Sequence, residues 1–303
     1  MTDGLFILEV AFSGLLSGVL YALVALGFVL IYKASGVFNF AQGIMTLFAA
    51  LTFVRLNALF NATGPGHLGF WAAIACTIAI MVLLAATVER LILRPLVNQP
   101  PLTMFMATMG LSVILEGMTA MIGGNQIFTL DIGISDDPID IGGILIRKLD
   151  LFAAGAGAVL VAVLAIFFQT TRVGRGLRAV ADDNLAALSV GIPLRNIWIL
   201  VWSISGAVAL FAGVIWGAKL GVQFSLSIIA LKSLPVLLLG GFTSIPGAII
   251  GGLIIGASEK LTEVFLAPVI GGAIETWFAY VFALVFLLIR PQGLFGEKII
   301  ERI

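Results

Sequence analysis

The sequence predicts an all-α polytopic membrane protein, with about eight to nine transmembrane or re-entrant helical segments and one helix lying outside the membrane. Three observations carry this. Of 303 residues, 61% are hydrophobic and 11% are charged, whereas a soluble domain carries about 25% charged residues. The mean hydropathy of the whole chain is +1.18. The apolar residues also come in successive long runs, without the alternation that marks an outer-membrane barrel. The formal net charge is zero, so nothing points to nucleic acid. One histidine and one cysteine build neither a metal site nor a catalytic triad. Cys76 lies inside an apolar run and reads as a small hydrophobe.

The first span covers about residues 5–32. No Lys or Arg precedes Lys33, so it lacks the basic start of a cleaved signal peptide and is read as retained. Gly14 and Gly18 form a GxxxG pattern, which is either a close-packing face or the ordinary abundance of Gly in membrane helices. Lys33 marks an inner junction. The stretch Lys33–Gly43 then sets Asn39, Gln42, Gly36 and Gly43 among aromatic residues. Two explanations fit: a tight turn, or a discontinuous helix whose unwound backbone lines a central route.

The second span ends near residue 54 and a polar link covers 57–68. The third span is about 69–88, followed by Glu89, Arg90 and Arg94 on the inner side. The fourth covers about 101–122 and contains Glu116. An intramembrane carboxylate is a functional candidate by default, although snorkelling or a helix–helix hydrogen bond explains it equally. Residues 124–148 form the largest outer segment, acidic at Asp131, Asp136, Asp137 and Asp140, with a β-like Ile-Gly-Gly-Ile-Leu-Ile-Arg. The fifth span is about 149–169 and the sixth about 196–217. Residues 227–262 are too long for one plain span. They are interrupted by Lys232, Ser233 and Pro235, and again by Gly240, Gly241, Ser244, Pro246 and Gly247. Two short helices joined by a glycine-rich break are expected there. The last span is about 268–289, and Arg290, Lys298 and Arg302 place the C-terminus inside. Arg147, Lys148 and Lys219 count against this sidedness.

Between the fifth and sixth spans lies the longest charged stretch with a helical pattern, about 170–196. Leu177, Val180, Ala181, Leu185 and Leu188 share one face of a 3.6-residue period. Arg175, Arg178, Asp182 and Asp183 fall away from that face, and Gly191 followed by Pro193 is a helix stop. This predicts an amphipathic helix at about 175–190, on the cytoplasmic side. It either lies along the headgroups or docks a cytoplasmic partner through its apolar face.

These motifs also carry a resemblance. The run Gly-Leu-Arg-Ala-Val-Ala-Asp-Asp-Asn-Leu-Ala-Ala-Leu-Ser-Val-Gly-Ile resembles the cytoplasmic coupling segment of permeases in branched-chain amino-acid ABC importers. Asn39-Phe-Ala-Gln-Gly43 is similar to that family's Asn-Phe-Ala-His-Gly, with Gln42 where many members carry His. The departure removes a titratable group. Arg94-Pro-Leu, Ala107-Thr-Met-Gly-Leu111, the Leu-Lys…Gly-Gly…Ser-Ile-Pro-Gly-Ala…Gly-Gly series and the closing Arg290-Pro-Gln-Gly-Leu-Phe-Gly296 follow in order. The ordered set covers nearly the whole chain and resembles the LivH type more than the LivM type.

The resemblance implies one transmembrane permease domain over residues 1–303 in a bacterial or archaeal cytoplasmic membrane. Its partners would be a second permease subunit, in a heterodimer or a homodimer, two cytoplasmic ATP-binding subunits and an extracytoplasmic substrate-binding protein, with lipid around it. ATP would bind those partners and no cofactor this chain, which carries no G-x-x-x-x-G-K-[ST] loop. Arg175, Arg178, Asp182, Asp183, Leu185 and Gly191 would couple to the ATPase. Asn39, Gln42, Gly43, Gly241, Ser244 and Gly247 would line the translocation pathway. Urea or amide importers use similar permeases. A secondary transporter also has broken helices, but needs buried coupling carboxylates, for which Glu116 and Glu275 are the candidates. A channel needs a filter-like repeat, and none is present.

Overall fold

The structure is a computed structural model that describes residues 2–63, 66–97, 99–124, 126–135, 137–182 and 184–296. Its helices are α1 (Thr2–Ser35), α2 (Gln42–Thr63), α3 (Gly66–Val88), α4 (Pro101–Gly123), α5 (Lys148–Thr170), α6 (Arg172–Asp182), α7 (Asn184–Ser189), α8 (Leu194–Leu220), α9 (Ser225–Leu231), α10 (Ser233–Gly240), α11 (Ile245–Ile270) and α12 (Phe278–Ile289). A π-turn at Glu89–Leu93 extends α3, and a 3-10 turn at Ile274–Thr276 precedes α12. Six helices (α1 to α5, and α8) are long and apolar enough to cross a membrane. The segment Ser225–Gly240 and α11 form one further apolar pair, bent by 117°. With α12, and with the pair counted as one span or two, these elements give the expected eight or nine segments.

Some boundaries differ from expectation. The second helix runs on to Thr63, through most of the predicted polar link; Asn57 and Asn61 bond to each other one turn apart on it. The predicted span 268–289 is two pieces: α11 continues over Pro268 to Ile270, and α12 has 12 residues. Pro268 is tolerated because it sits in the last turn, and the chain turns at Gly271, whose φ of 112° suits Gly. The β-like stretch is a hairpin of Pro138–Ile141 with Ile144–Arg147. Gly142 and Gly143 sit at its turn with φ of 67° and 89°, where a two-residue turn requires positive φ.

The chain divides into two compact units. The first comprises residues 1–29, 133–165 and 232–303. Within it, α1 crosses α11 at glycine on both sides. A Cβ on Gly14 would lie 2.6 Å from the Gly256 carbonyl oxygen, and one on Gly18 2.5 Å from that of Gly252. The GxxxG pattern is therefore a close-packing face. Two apolar helices gain little by leaving lipid for one another, so close backbone approach supplies the attraction.

The second unit comprises residues 30–132 and 166–231 and is built around α2. From Ala41 to Val54 every residue of this stretch is buried. A helix apolar on all sides belongs in an interior, and α3, α4, α8 and α9 supply the walls. Gly213 of α8 lets that helix approach the Thr46 carbonyl. By contrast, α4 keeps Val113 and Ile114 more than 60% exposed, the surface expected of a lipid-facing helix.

Gly256→Leu places a side chain against the backbone of α1, which has no rotamer to yield. It should cost at least the ~1–3 kcal/mol of ordinary overpacking and lower the melting temperature of the purified protein. Gly117→Ala, where a Cβ meets nothing within 4 Å, should leave the melting temperature within error.

Candidate functional site

The junction between α1 and α2 is unwound over Gly36–Ala41. Its backbone groups still need partners, because lipid supplies none. Thr108 of α4 provides one: its hydroxyl accepts from the Phe40 N–H at 3.2 Å and lies 3.1 Å from the Phe38 carbonyl oxygen. Phe105 of the same helix packs on the rings of Phe38 and Phe40. Asn39 caps the restart, its side-chain oxygen accepting from the Ala41 N–H at 3.1 Å. The Gln42 side-chain oxygen accepts from the Ser205 hydroxyl of α8 at 2.8 Å and lies 3.4 Å from the Asn39 amide nitrogen. Asn39 and Gln42 are both fully buried. In this structure they fasten α2 to α8 by an interhelical network. Gly43 lets α2 approach α9, where a Cβ would lie 2.8 Å from the Ser227 carbonyl oxygen. Sequence reading did not single out Thr108 or Ser205, although Thr108 stands inside the Ala-Thr-x-Gly-Leu motif.

The glycine-rich break lies in the first unit. Gly240 and Gly247 face each other so closely that a Cβ on either would collide with the other's carbonyl oxygen. Gly241 has a φ of 101°, a region that suits Gly. Ser244 is the N-cap of α11, its hydroxyl accepting from the Gly247 N–H at 3.0 Å, and Pro246 follows in the first turn. The last carbonyls of α10 are capped from far along the chain: Leu294 N–H donates to Leu239 O at 2.7 Å and Phe295 N–H to Gly240 O at 3.2 Å. The Arg290–Gly296 turn is thus a built part of the break.

The segment 170–196 is helical over Arg172–Asp182 (α6) and Asn184–Ser189 (α7), on either side of Asp183. Its end follows the sequence signal. Gly191 has a φ of 87°, its N–H donates to Leu188 O, and Ile192 N–H donates to Ala187 O, the paired bonds of a Schellman stop. Asp183 lies outside the described residues, and of Asp182 and Leu185 only the backbone is described. Arg178 donates to the Phe168 carbonyl at 2.8 Å and Arg175 to that of Thr170 at 3.4 Å, so both cap the end of α5, where cations suit the helix dipole. The apolar face differs from expectation. Leu177, Val180 and Ala187 are buried within their own unit, and Gly176 sits against Ile197 of α8. The exposed residues include Arg172, Arg175, Arg178, Ala181, Leu188 and Val190, the last 80% exposed.

Two further features concern carboxylates. A cavity of about 480 Å³ in the second unit is walled by Leu47, Leu51, Glu116, Gln126, Gln223 and Phe224 among others, so Glu116 faces a space rather than a helix partner. In the first unit Glu259 is a buried carboxylate, 1% exposed, with Lys232 Nζ 2.8 Å from its Oε1. Glu116 and Glu275 were the expected intramembrane candidates; Glu259 was missed because its partner is 27 residues away. Glu275 pairs with Lys260 at 2.8 Å. Burial pushes its carboxyl up, but the hydrogen bond and charge of Lys260, with the charge of Lys232, outweigh this and hold it below the usual range.

Three outcomes follow from this geometry. Gly247→Leu should abolish uptake while the protein still inserts into membranes, measured by fractionation and transport. Cysteines at Asn39 and Gln42, in a background lacking the exposed Cys76, should stay unreactive to a small water-soluble thiol reagent; rapid labelling would show that water reaches them. Because the folded Glu275 carboxyl is depressed, its contribution to stability is complete above the ordinary carboxylate pKa and fades as pH falls through the folded value. Melting temperature should therefore drop on acidification less steeply in Glu275→Gln than in the native protein.

The chain can now be set beside known proteins. The family model described as the permease component of the branched-chain amino acid transport system matches residues 10–290. The high-affinity branched-chain amino acid transport system permease protein LivH of Salmonella typhimurium strain LT2 is 27% identical, over 99% of this chain and 98% of the relative. The corresponding BraD protein of Pseudomonas aeruginosa is 28% identical, over 96% of each. The LivM permease protein of Escherichia coli K12 is 24% identical, over 91% of this chain and 67% of the relative. With the family's motifs spread through both units and the match running almost from end to end, the chain belongs to the permease-component family of branched-chain amino acid transport systems.

Proposed function

We propose that this chain is the LivH-like permease subunit of an ATP-driven importer that passes branched-chain amino acids through the cytoplasmic membrane of a bacterium or archaeon, with its C-terminus on the cytoplasmic side. A separate binding protein delivers the solute and two ATP-binding subunits supply the work, so this chain needs no ATP site of its own. The observation that carries the reading is the family match from residue 10 to residue 290. Similarity to a LivM protein as well supports a second, related permease beside this one.

In this reading the whole chain forms one permease domain, and residues 170–196 are the coupling segment. Since Leu177 and Val180 are covered by the chain itself, the contact with the ATP-binding subunit falls on the exposed rim: Arg172, Arg175, Leu188, Val190 and the Gly191 turn. Asp182, Asp183 and Leu185 belong to the same stretch and set its register. The anchoring of Arg178 and Arg175 on the end of α5 favours transmission, because a push on the rim then moves a membrane-length helix. Gly241, Ser244 and Gly247 shape the break whose backbone borders the pathway, and Asn39, Gln42 and Gly43 brace the start of α2.

The reading is tested in vesicles holding the permease pair and ATP-binding subunits, with the cognate binding protein outside. Leucine, isoleucine or valine uptake that requires ATP is expected. Uptake driven by a proton gradient without ATP would mean a secondary transporter, and selective binding of urea or an amide by the binding protein would reassign the solute. Val190→Asp and Asp182→Arg should leave expression near normal. Each should weaken capture of the ATP-binding subunit, since a disturbed charge at a desolvated interface costs about 2–5 kcal/mol.

A further inference from the structure

The most unusual group of side chains in the first unit takes no part in the coupling segment or the glycine break. Lys232 stands between α9 and α10, Glu259 in the middle of α11, and Tyr21 on α1. The Lys232 ammonium lies 2.8 Å from Glu259 Oε1, and the Tyr21 hydroxyl donates to the same oxygen at 3.3 Å. The Glu259 side chain is 2% exposed and that of Lys232 11%. Both donors crowd onto one carboxylate oxygen. The other, Oε2, is buried without a hydrogen-bond partner among the described residues, and so is the hydroxyl of Ser233, the residue next to Lys232.

Stability does not account for this arrangement. Burying two charges costs so much desolvation that replacing such a pair with apolar residues of similar volume is often neutral or stabilising. A polar network kept for rigidity would also be fully satisfied, because a half-satisfied one is costly. What the arrangement does have is a spare acceptor on the same carboxylate that holds the lysine at the head of α10.

Position adds the second argument. The hairpin of α10 and α11 is packed backbone to backbone from its vertex to Gly251, which lies against the Val236 carbonyl. At its vertex the backbones of Gly240 and Gly247 touch, capped by the Arg290–Gly296 turn. At the other end of α10 the link is the ion pair. Backbone contact at a vertex permits rotation but no separation, while a lysine that exchanges one carboxylate oxygen for the other lets the helix end shift without losing its charge partner.

We propose that Lys232 and Glu259, with Tyr21 orienting the carboxylate, are positioning residues of the transport cycle. They form the movable end of the α10–α11 hairpin, and Lys232 passes between the two oxygens of Glu259 as α10 pivots about the glycine vertex. The inference rests on membership of the permease family and not on which solute is carried.

The test uses the complete transporter in vesicles, with whichever solute the native complex imports. Lys232→Met together with Glu259→Met keeps the volume and removes both charges. This variant is expected to assemble and to melt at or above the native temperature, while uptake falls at least tenfold and more ATP is hydrolysed per solute imported. Glu259→Gln, which keeps the shape but loses the charge, should show the same rise in that ratio, and Lys232→Arg should restore most of the uptake. Uptake by the double Met variant at the native rate would overturn the proposal. So would a double variant that fails to assemble while Glu259→Gln assembles and transports at the native ratio, because the pair would then be packing alone.

Discussion

A helix inside hydrocarbon satisfies its own backbone everywhere except at its ends, and each end leaves carbonyls or N–H groups that lipid does not bond. This chain has many ends, because several helices stop or break within its apolar body, and the rest of the structure depends on how they are closed. Several are closed by a group from another element. Arg55 of α2 donates through its guanidinium to Ile122 O at the end of α4, at 2.8 and 3.1 Å. The Trp198 indole of α8 donates to Ala34 O at the end of α1. Arg178 and Arg175 close α5, Thr108 serves the unwound stretch before α2, and the Arg290–Gly296 turn closes α10. These donors fix which helices are neighbours within each unit, since an apolar surface alone gives no preference between lipid and another helix.

The same constraint explains why the polar side chains of the interior are so often structural. Asn39, Gln42 and Ser205 satisfy one another and the backbone around a helix start, and Ser244 does so at the start of α11. A polar residue in an apolar run thus has two possible employers, the permeating solute and the backbone of its own protein. The backbone employs these four in this structure. Glu259, by contrast, keeps one buried oxygen without a hydrogen-bond partner among the described residues.

Basic residues near helix ends likewise carry two meanings. Arg175 and Arg178 fall on the charged side of the amphipathic pattern, and the structure shows that they are also caps. The two uses are compatible, since a cation at the C-terminal end of a helix is favoured by the dipole. Their hydrophobic neighbours, Leu177 and Val180, are turned inward by the anchoring, so a helix whose pattern promised an apolar docking face offers instead an arginine rim with Leu188 and Val190 at its edge.

Much of this protein was set by its sequence alone. Run length and hydropathy determined an all-α membrane chain, because only a helix of about 20 apolar residues bridges hydrocarbon. Local backbone chemistry determined the stop at Gly191, the hairpin at Gly142 and Gly143 and the break at 240–247, because these depend on residues close in sequence. The tertiary structure decided whatever depends on separation. Where α2 ended was not legible, since Asn57 and Asn61 look like loop residues until they bond along a helix surface. The partners of Gly14 and Gly18, the cap supplied by Thr108, the burial of Leu177 and the ion pair of Lys232 with Glu259 were not legible either. Each joins residues whose contact exists only once helices distant in sequence have crossed, and hydrophobic periodicity records which face of a helix is apolar without recording what covers it.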